Sequence, residues 1–345
     1  MPWTPPRHGR TALVATGLVA ALSLSACGGG TTPAKTTTDS GPAAQKTSNG
    51  TVLAAHWPMT GLTVKGQPPL YPPLVVKFDN TYSSRPQIGL RKADLVTEEL
   101  VEGGLTRLAA FYETSLPDLV GPVRSMRASD IGVVKPVHAT IVTSGAAGQT
   151  IARLRGAGVN FRANGSSPDF YRDYGRAAPY NLFVHLKRLA TTLKKPAKTP
   201  QPYLSWGKES DFQGVAPAKQ IQVRFSPGHT TQWAYRGGKY VNTNSFAAPG
   251  SAFRPDTVIV VRVREGDAGY LDPAGNHVPE TIYTGSGKVL VFHGGKMLRG
   301  TWSKKDGSSA LRLKTRAGML KIPAGHTWIE LLPRDQAGGR VSFQR

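Results

Sequence analysis

Cysteine occurs once in 345 residues, at Cys27. The chain therefore has no intramolecular disulfide, no thiolate metal site and no Cys-x-x-Cys redox pair. Acidic side chains are scarce, with 21 Asp and Glu against 43 Lys and Arg. No Gly-x-Ser-x-Gly surrounds any serine, and no Gly-Lys-Ser/Thr ending marks a phosphate loop. The histidines beyond the leader, His56, His138, His185, His229, His277, His293 and His326, include no pair within five residues, so metal-ligand spacing is absent. Nothing in these patterns calls for a cofactor or a bound metal. After the N-terminal leader no apolar run is long enough to span a bilayer.

What is present begins with that leader. Arg7 and Arg10 precede an apolar or small run from Thr11 to Ala26 that ends Leu24-Ser25-Ala26-Cys27-Gly28. A short basic stretch, an apolar stretch and small residues before a cleavage point describe a signal peptide. This one resembles a bacterial lipobox, in which the Cys27 thiol takes a diacylglyceryl group and further palmitate-type acylation. Each buried CH₂ contributes about 0.8 kcal/mol, so several chains anchor stably where one does not. Cys27 is the expected lipidation site, and the protein is expected on the outer face of the cell membrane. Export excludes nucleic acid as the partner of this basic chain and leaves anionic lipids and wall polymers.

The organisation that follows is residues 1–26 as signal peptide, 27–55 as a flexible tether, 56–205 as a first lobe and 206–345 as a second. The tether is Gly, Thr, Ser, Ala, Lys and Pro with almost no large apolar side chain to offset the entropy of ordering. The first lobe mixes elements. Leu74 to Asp79 and Ala139 to Thr143 read as strands, Gln149 to Arg155 as a helix, and Leu182, Leu186, Leu189 and Leu193 as the apolar stripe of another helix capped by Asn181. The second lobe offers strands and turns: Ile221 to Phe225, Trp233 to Tyr235, Val258 to Val263, Lys288 to Phe292, Leu311 to Lys314 and Thr327 to Leu332, with turns at Gly237-Gly238 and Gly294-Gly295. The expected class is α+β, a mixed α/β N-terminal lobe followed by an antiparallel β-rich C-terminal lobe.

Five segments occur in order: Lys77-Phe78-Asp79-Asn80, Arg85-Pro86-Gln87-Ile88-Gly89-Leu90, Ala93-Asp94-Leu95-Val96-Thr97-Glu98, Glu102-Gly103-Gly104-Leu105-Thr106-Arg107 and Gly121-Pro122-Val123-Arg124-Ser125-Met126-Arg127. Together they resemble the YerB-like family of bacterial lipoproteins. Gly285-Ser286-Gly287, Gly300-Thr301-Trp302-Ser303-Lys304 and Gly325-His326-Thr327-Trp328-Ile329 extend the similarity into the second lobe. The resemblance implies two lobes and an extracytoplasmic location but no reaction. Tyr180 stands where the family pattern has histidine, and Asp256-Thr257-Val258 where it has Asn-Val.

Gly103-Gly104 between two apolar runs is a hairpin signal, because both glycines take positive φ. A two-residue turn there pairs Glu102 with Leu105, Leu100 with Arg107 and Glu98 with Ala109. Asp94, Glu98, Glu102 and Arg107 would then share one face, with carboxylates flanking one guanidinium. Such a set holds a ligand or makes a structural ion-pair ladder. Arg85, Arg124 and Arg127 lie on loops and with Arg107 are candidates to converge on an anion, with Asp79 among the polar-site carboxylates. Lys304 reads as an ordinary, remote surface base. Ser144 to Thr150 reads as a strand-to-helix turn, Ser125 and Ser144 as outside candidates for a nucleophile, and Trp233, Trp302 and Trp328 as core.

Three functions fit: a binding or accessory protein for an anionic envelope component, a wall hydrolase or transferase using Asp79, Glu98 or Glu102 as acid and base, and a structural adaptor for membrane proteins. The anchor is directly testable. Cys27→Ala should abolish metabolic labelling with an alkyne fatty acid, and equal labelling of mutant and wild type would remove the anchor from the account.

Overall fold

β1 (Leu74–Asp79), β2 (Leu95–Leu100) and β3 (Thr106–Tyr112) are buried along their whole length in the computed structural model, which describes residues 55–194, 200–334 and 338–345. Strands covered on both faces read as near-continuous apolar runs, as Leu74-Val75-Val76 and Leu108-Ala109-Ala110-Phe111 do. β4 (Thr140–Thr143) and β5 (Phe161–Ala163) complete the first half's share of the main sheet. The second half contributes β6 (Gln220–Ser226), β7 (His229–Arg236), β8 (Lys239–Asn242), β9 (Thr257–Leu271), β10 (Gly285–His293), β11 (Lys296–Lys304), β12 (Arg312–Thr315), β13 (Thr327–Pro333) and β14 (Arg340–Gln344). The expected leader, Cys27, most of the tether and the centre of the proline-rich linker lie outside the described residues.

The fold is β-rich. One mixed sheet runs β12, β11, β10, β9, β13, β2, β3, β1, β4, β5, and a second, antiparallel sheet runs β8, β7, β6, β14. β13 sits between β9 and β2 and is parallel to both, with Glu98 opposite Glu330 in the β2 register. β2 and β13 come from the two segments expected as separate lobes, and their pairing carries one sheet through both. All described residues belong to one compact unit. None of their helices is long and apolar enough to cross a membrane.

Three layers result. The face carrying Val75, Leu95, Phe111, Ile259 and Ile329 packs on α1 (Asp130–Val134) and α2 (Gly148–Gly156) through Val133, Val134 and Leu154. The other face, carrying Val76, Phe78, Val96, Leu108 and Val258, packs on the second sheet through Ile221, Val223, Phe225 and Trp233, and on α3 (Leu186–Thr191) through Leu186 and Leu189. Each such side chain, fully buried, contributes about 1.5–3 kcal/mol.

The strands and glycine turns expected in the second half are all present, but three expectations need correction. The second half is not purely antiparallel, because β9 and β13 run side by side in the same direction. The helix expected from Asn181 begins only at Leu186. Leu182–His185 is a strand, because Leu182, Phe183 and Val184 pair with Leu119–Val120 on one side and Phe170–Arg172 on the other. Lys304 is 1% exposed, and its Nζ donates to the carbonyls of Asp306, Gly307 and Ser309, so it holds a loop together. Trp233, Trp302 and Trp328 are core.

Candidate functional site

Alternation along β1, β2 and β3 sends Lys77, Asp79, Glu99 and Arg107 to the helical face of the sheet, since Lys77 lies opposite Ala109, Asp79 opposite Arg107, and Glu99 opposite Arg107. Lys77 is wholly buried, with Nζ 2.7 Å from both Glu99 Oε1 and Asp130 Oδ1. Ser129 Oγ donates to Glu99 Oε2, and the Arg127 backbone N–H donates to Asp130 Oδ2. Burial pushes the Asp130 carboxyl up to about 6, with the Lys77 ammonium opposing and the Glu99 charge adding to the rise. This triad ties the start of α1 to the sheet. Removing one partner from such a buried set costs about 3–5 kcal/mol, because a charge is stranded.

Toward the sheet end the same face carries three guanidiniums. Arg107 donates through Nη1 to the Ser125 carbonyl at 3.0 Å and through Nη2 to Glu102 Oε1 at 3.1 Å. Arg127 grips both oxygens of Glu102 with its Nε and Nη2. Arg124 Nε donates to Asp79 Oδ2 at 2.8 Å, and Asp79 Oδ1 accepts from the backbone and hydroxyl of Thr81. Thus one carboxylate bridges two guanidiniums, the reverse of the expected single arginine flanked by acids. Three guanidiniums share two carboxylates. Burial first, then the Arg127 charge with Arg124 adding, lowers Arg107 to about 10 despite Glu102 and Asp79. Arg124 is the outermost of the three, its side chain 20% exposed. It lies 5.5 Å from the Tyr180 ring, and its Nη1 and Nη2 make no hydrogen bond among the described residues.

The other candidates separate from this group. Arg85 stacks on Tyr82, 3.3 Å from the ring centroid. Asp94 caps the far end of the hairpin, accepting from the backbone N–H groups of Glu113 and Thr114 and from the Thr114 hydroxyl. Glu98 is on the opposite face. The hairpin loop has three residues, Glu102–Gly104, with Leu100 opposite Thr106 and Glu98 opposite Leu108. Gly103 and Gly104 take φ of 68° and 69° as expected, but the extra residue shifts the register by one and turns Glu98 away from Arg107. Ser125 and Ser144 hydroxyls lie 3.2 Å apart. Neither bonds a histidine or carboxylate among the described residues, so neither has a base to activate it.

Behind the sheet Glu98 heads a second polar group that no motif signalled. Its carboxylate accepts from Asn80 Nδ2, Thr106 Oγ1 and Thr231 Oγ1, and lies 2.8 Å from His229 Nε2. Glu330, its neighbour on β13, accepts from Trp233 Nε1 on Oε1, while Oε2 meets no donor. Both acids are fully buried. Burial and the Glu98 charge drive Glu330 well above the usual carboxylate range. Burial alone would raise Glu98 too, but the His229 hydrogen bond and charge, with bonds from Glu330 and Thr106, hold it below its ordinary value. Glu330 is therefore the member that favours the neutral form, beside an ionised Glu98. Sequence held one clue. Glu98-Glu99 within Leu95–Leu100, and Glu330 within Thr327–Pro333, are acids inside strands too apolar to have a wet face, so each needed a buried partner. Lys77, Glu99, Asp130, His229 and Thr231 were not singled out because their partners lie far away in sequence.

Glu102 gives the arginine group a pH signature. Burial raises its pKa, but the Arg127 hydrogen bond and the Arg107 and Arg127 charges outweigh that and bring it down to about 2. A folded value below the unfolded value of about 4.3 means that its stabilisation is complete above that pH and disappears as pH falls to 2. The stability gap between wild type and Glu102→Gln in urea melts should be widest near neutrality and close between about pH 4 and pH 2. A gap independent of pH would contradict the Glu102 assignment.

With both groups located, comparisons with known proteins identify the lineage. Residues 59–199 match the N-terminal domain, and residues 221–329 the C-terminal domain, of a protein family described as of unknown function (DUF3048). A Bacillus subtilis (strain 168) protein named "Putative lipoprotein YerB" is 24% identical over 289 residues, covering 80% of this chain and 86% of that protein. The crystal structure of YerB protein from Bacillus subtilis superposes with a TM-score of 0.68 at 22% identity, covering 84% of this chain and 99% of that one. The order of motifs, the two matched domains and the shared fold agree: this chain belongs to the YerB-like family.

Proposed function

We propose that this protein is a lipid-anchored lipoprotein on the outer face of the cell membrane, and that it binds an anionic component of the envelope through the arginine group of the helical face. The anchor rests on the Leu24-Ser25-Ala26-Cys27-Gly28 sequence and on a relative of similar length whose name is that of a lipoprotein. The ligand class rests on one observation: three guanidiniums share two carboxylates, and the outermost, Arg124, is held by Asp79 through Nε while both terminal nitrogens stay unbonded among the described residues. A fixed guanidinium with two free donors fits the two oxygens of a phosphate or carboxylate. An arriving anion would also relieve the repulsion that depresses Arg107. Tyr180 walls the Arg124 guanidinium where the family pattern has histidine.

A phosphate can come from a wall polymer or from a lipid headgroup, so calorimetry should use poly(glycerol phosphate) fragments and vesicles of anionic lipid in separate titrations. Moderate salt removes the general attraction of a basic surface. Loss of a fork costs about 1–3 kcal/mol, so Arg124→Ala should weaken the favoured ligand about 5- to 150-fold. Arg316→Ala, in an exposed turn beyond β12 near the opposite edge of the sheet, should change it by less than about twofold, since only a screened field is lost. Equal effects from the two variants would reduce the arginine group to surface charge.

A further inference from the structure

On the face of the sheet away from the arginines, a pocket of about 280 Å³ opens beside the Glu98 group. Its walls include Asn80, His229, Gln232, Asn244, Ser245 and Phe246, and no Lys, Arg, Asp or Glu lines it. The geometry points to a subsite for one neutral sugar ring, with His229 as its buried polar anchor.

His229 is about nine-tenths buried, its side chain 10% exposed, and it reaches the pocket from β7. Its Nε2 is held 2.8 Å from Glu98 Oε1 and 3.0 Å from Thr106 Oγ1. The two ring nitrogens point apart, so binding Nε2 to the carboxyl pair leaves Nδ1 facing away from it. Nδ1 makes no hydrogen bond among the described residues. With Glu98 ionised, Nε2 carries the proton, and this tautomer is fixed by the partner rather than seen. Nδ1 is then an acceptor for a hydroxyl group. Glu98 and Glu330 act as positioning residues: they hold the ring, and burial keeps them from touching a ligand.

The walls select the ligand class. An anion would meet no Lys or Arg there, and an alkyl chain would leave His229 Nδ1 and the Gln232 amide without a polar partner. Hydroxyls, which both donate and accept, match amide, hydroxyl and imidazole groups, and Phe246 supplies the single aromatic side chain against which a ring's C–H face packs. The volume is just under the roughly 300 Å³ at which pockets for drug-sized ligands begin, so it holds one ring rather than an extended molecule. Asn244 is already fixed by its own bonds, its Oδ1 accepting from the Gln232 N–H and its Nδ2 donating to the Thr230 carbonyl. Such preorganisation lowers the entropic cost of binding.

Saturation-transfer NMR and calorimetry on the full-length chain test this with a panel of neutral tetrasaccharides built from N-acetylglucosamine, glucose, mannose, galactose and arabinose. At least one should bind saturably below about 10 mM. Phe246→Ala and His229→Gln should each weaken it about 3- to 10-fold, the cost of a lost ring contact or hydrogen bond. Arg124→Ala should leave sugar affinity unchanged, which separates this subsite from the anion site. If His229→Gln fails to fold by thermal melt, Phe246→Ala alone decides, because its backbone carbonyl contact to Gln87 survives substitution. No binding by any member of the panel overturns the inference. So does binding that Phe246→Ala leaves within about twofold, or that Arg124→Ala weakens instead.

Discussion

The parallel pairing of β2 with β13 is the constraint on which the rest of the structure depends. It joins Leu95–Glu99 to Thr327–Leu331, segments more than two hundred residues apart, and places two buried acids side by side as Glu98 and Glu330. Two ionised carboxylates could not share that space, so one keeps its proton and the other collects donors from Asn80, Thr106, Thr231 and His229. The pair thereby specifies register. A slip of one residue would turn Glu330 to the helical face, set Glu98 against an apolar neighbour and leave the buried Trp233 N–H without its acceptor.

Because this join lies in the middle of the main sheet, the sheet acts as a partition between two kinds of chemistry. On the helical side lie formal charges, with Lys77 buried between Glu99 and Asp130, and Arg107, Arg124 and Arg127 gathered around Glu102 and Asp79. On the other side Glu98 and Glu330 lie buried beside His229, and no Lys, Arg, Asp or Glu lines the pocket next to them. Adjacent residues of one strand serve the two sides: Glu98 turns to His229 and Glu99 to Lys77. The strand's period of two makes this division unavoidable once both faces are covered. The proposed anion site and the proposed neutral subsite therefore lie on opposite faces of one sheet.

Much of this fold was legible because strands and tight turns are local. Leu74–Asp79 ends where the β-branched run ends, and Gly237-Gly238 and Gly294-Gly295 adopt the positive φ that marked them as turns. The α3 region misled because leucines at helical spacing can also be the buried residues of a strand followed by a short helix, as Leu182, Leu186, Leu189 and Leu193 are. The candidate site was half legible. Asp79, Glu102, Arg107, Arg124 and Arg127 do meet, while Arg85, Asp94 and Glu98 lie elsewhere. A Gly-Gly pair signals a turn but not whether it has two residues or three, and that single residue decides which face Glu98 takes. His229 and Glu330 were out of reach for a different reason: both meet Glu98 through pairings between distant parts of the chain, and no spacing rule foretells those.

Native-state hydrogen exchange at the β2 and β13 amides tests the join most directly. If this pairing unites the two halves, amides of Leu95–Glu99 and Thr327–Leu331 exchange only through global unfolding and report one common free energy, equal to that of the β1 and β3 core. Exchange of the β13 amides at a distinctly lower free energy, while β1 and β3 stay protected, would mean that the halves open separately and would contradict the join.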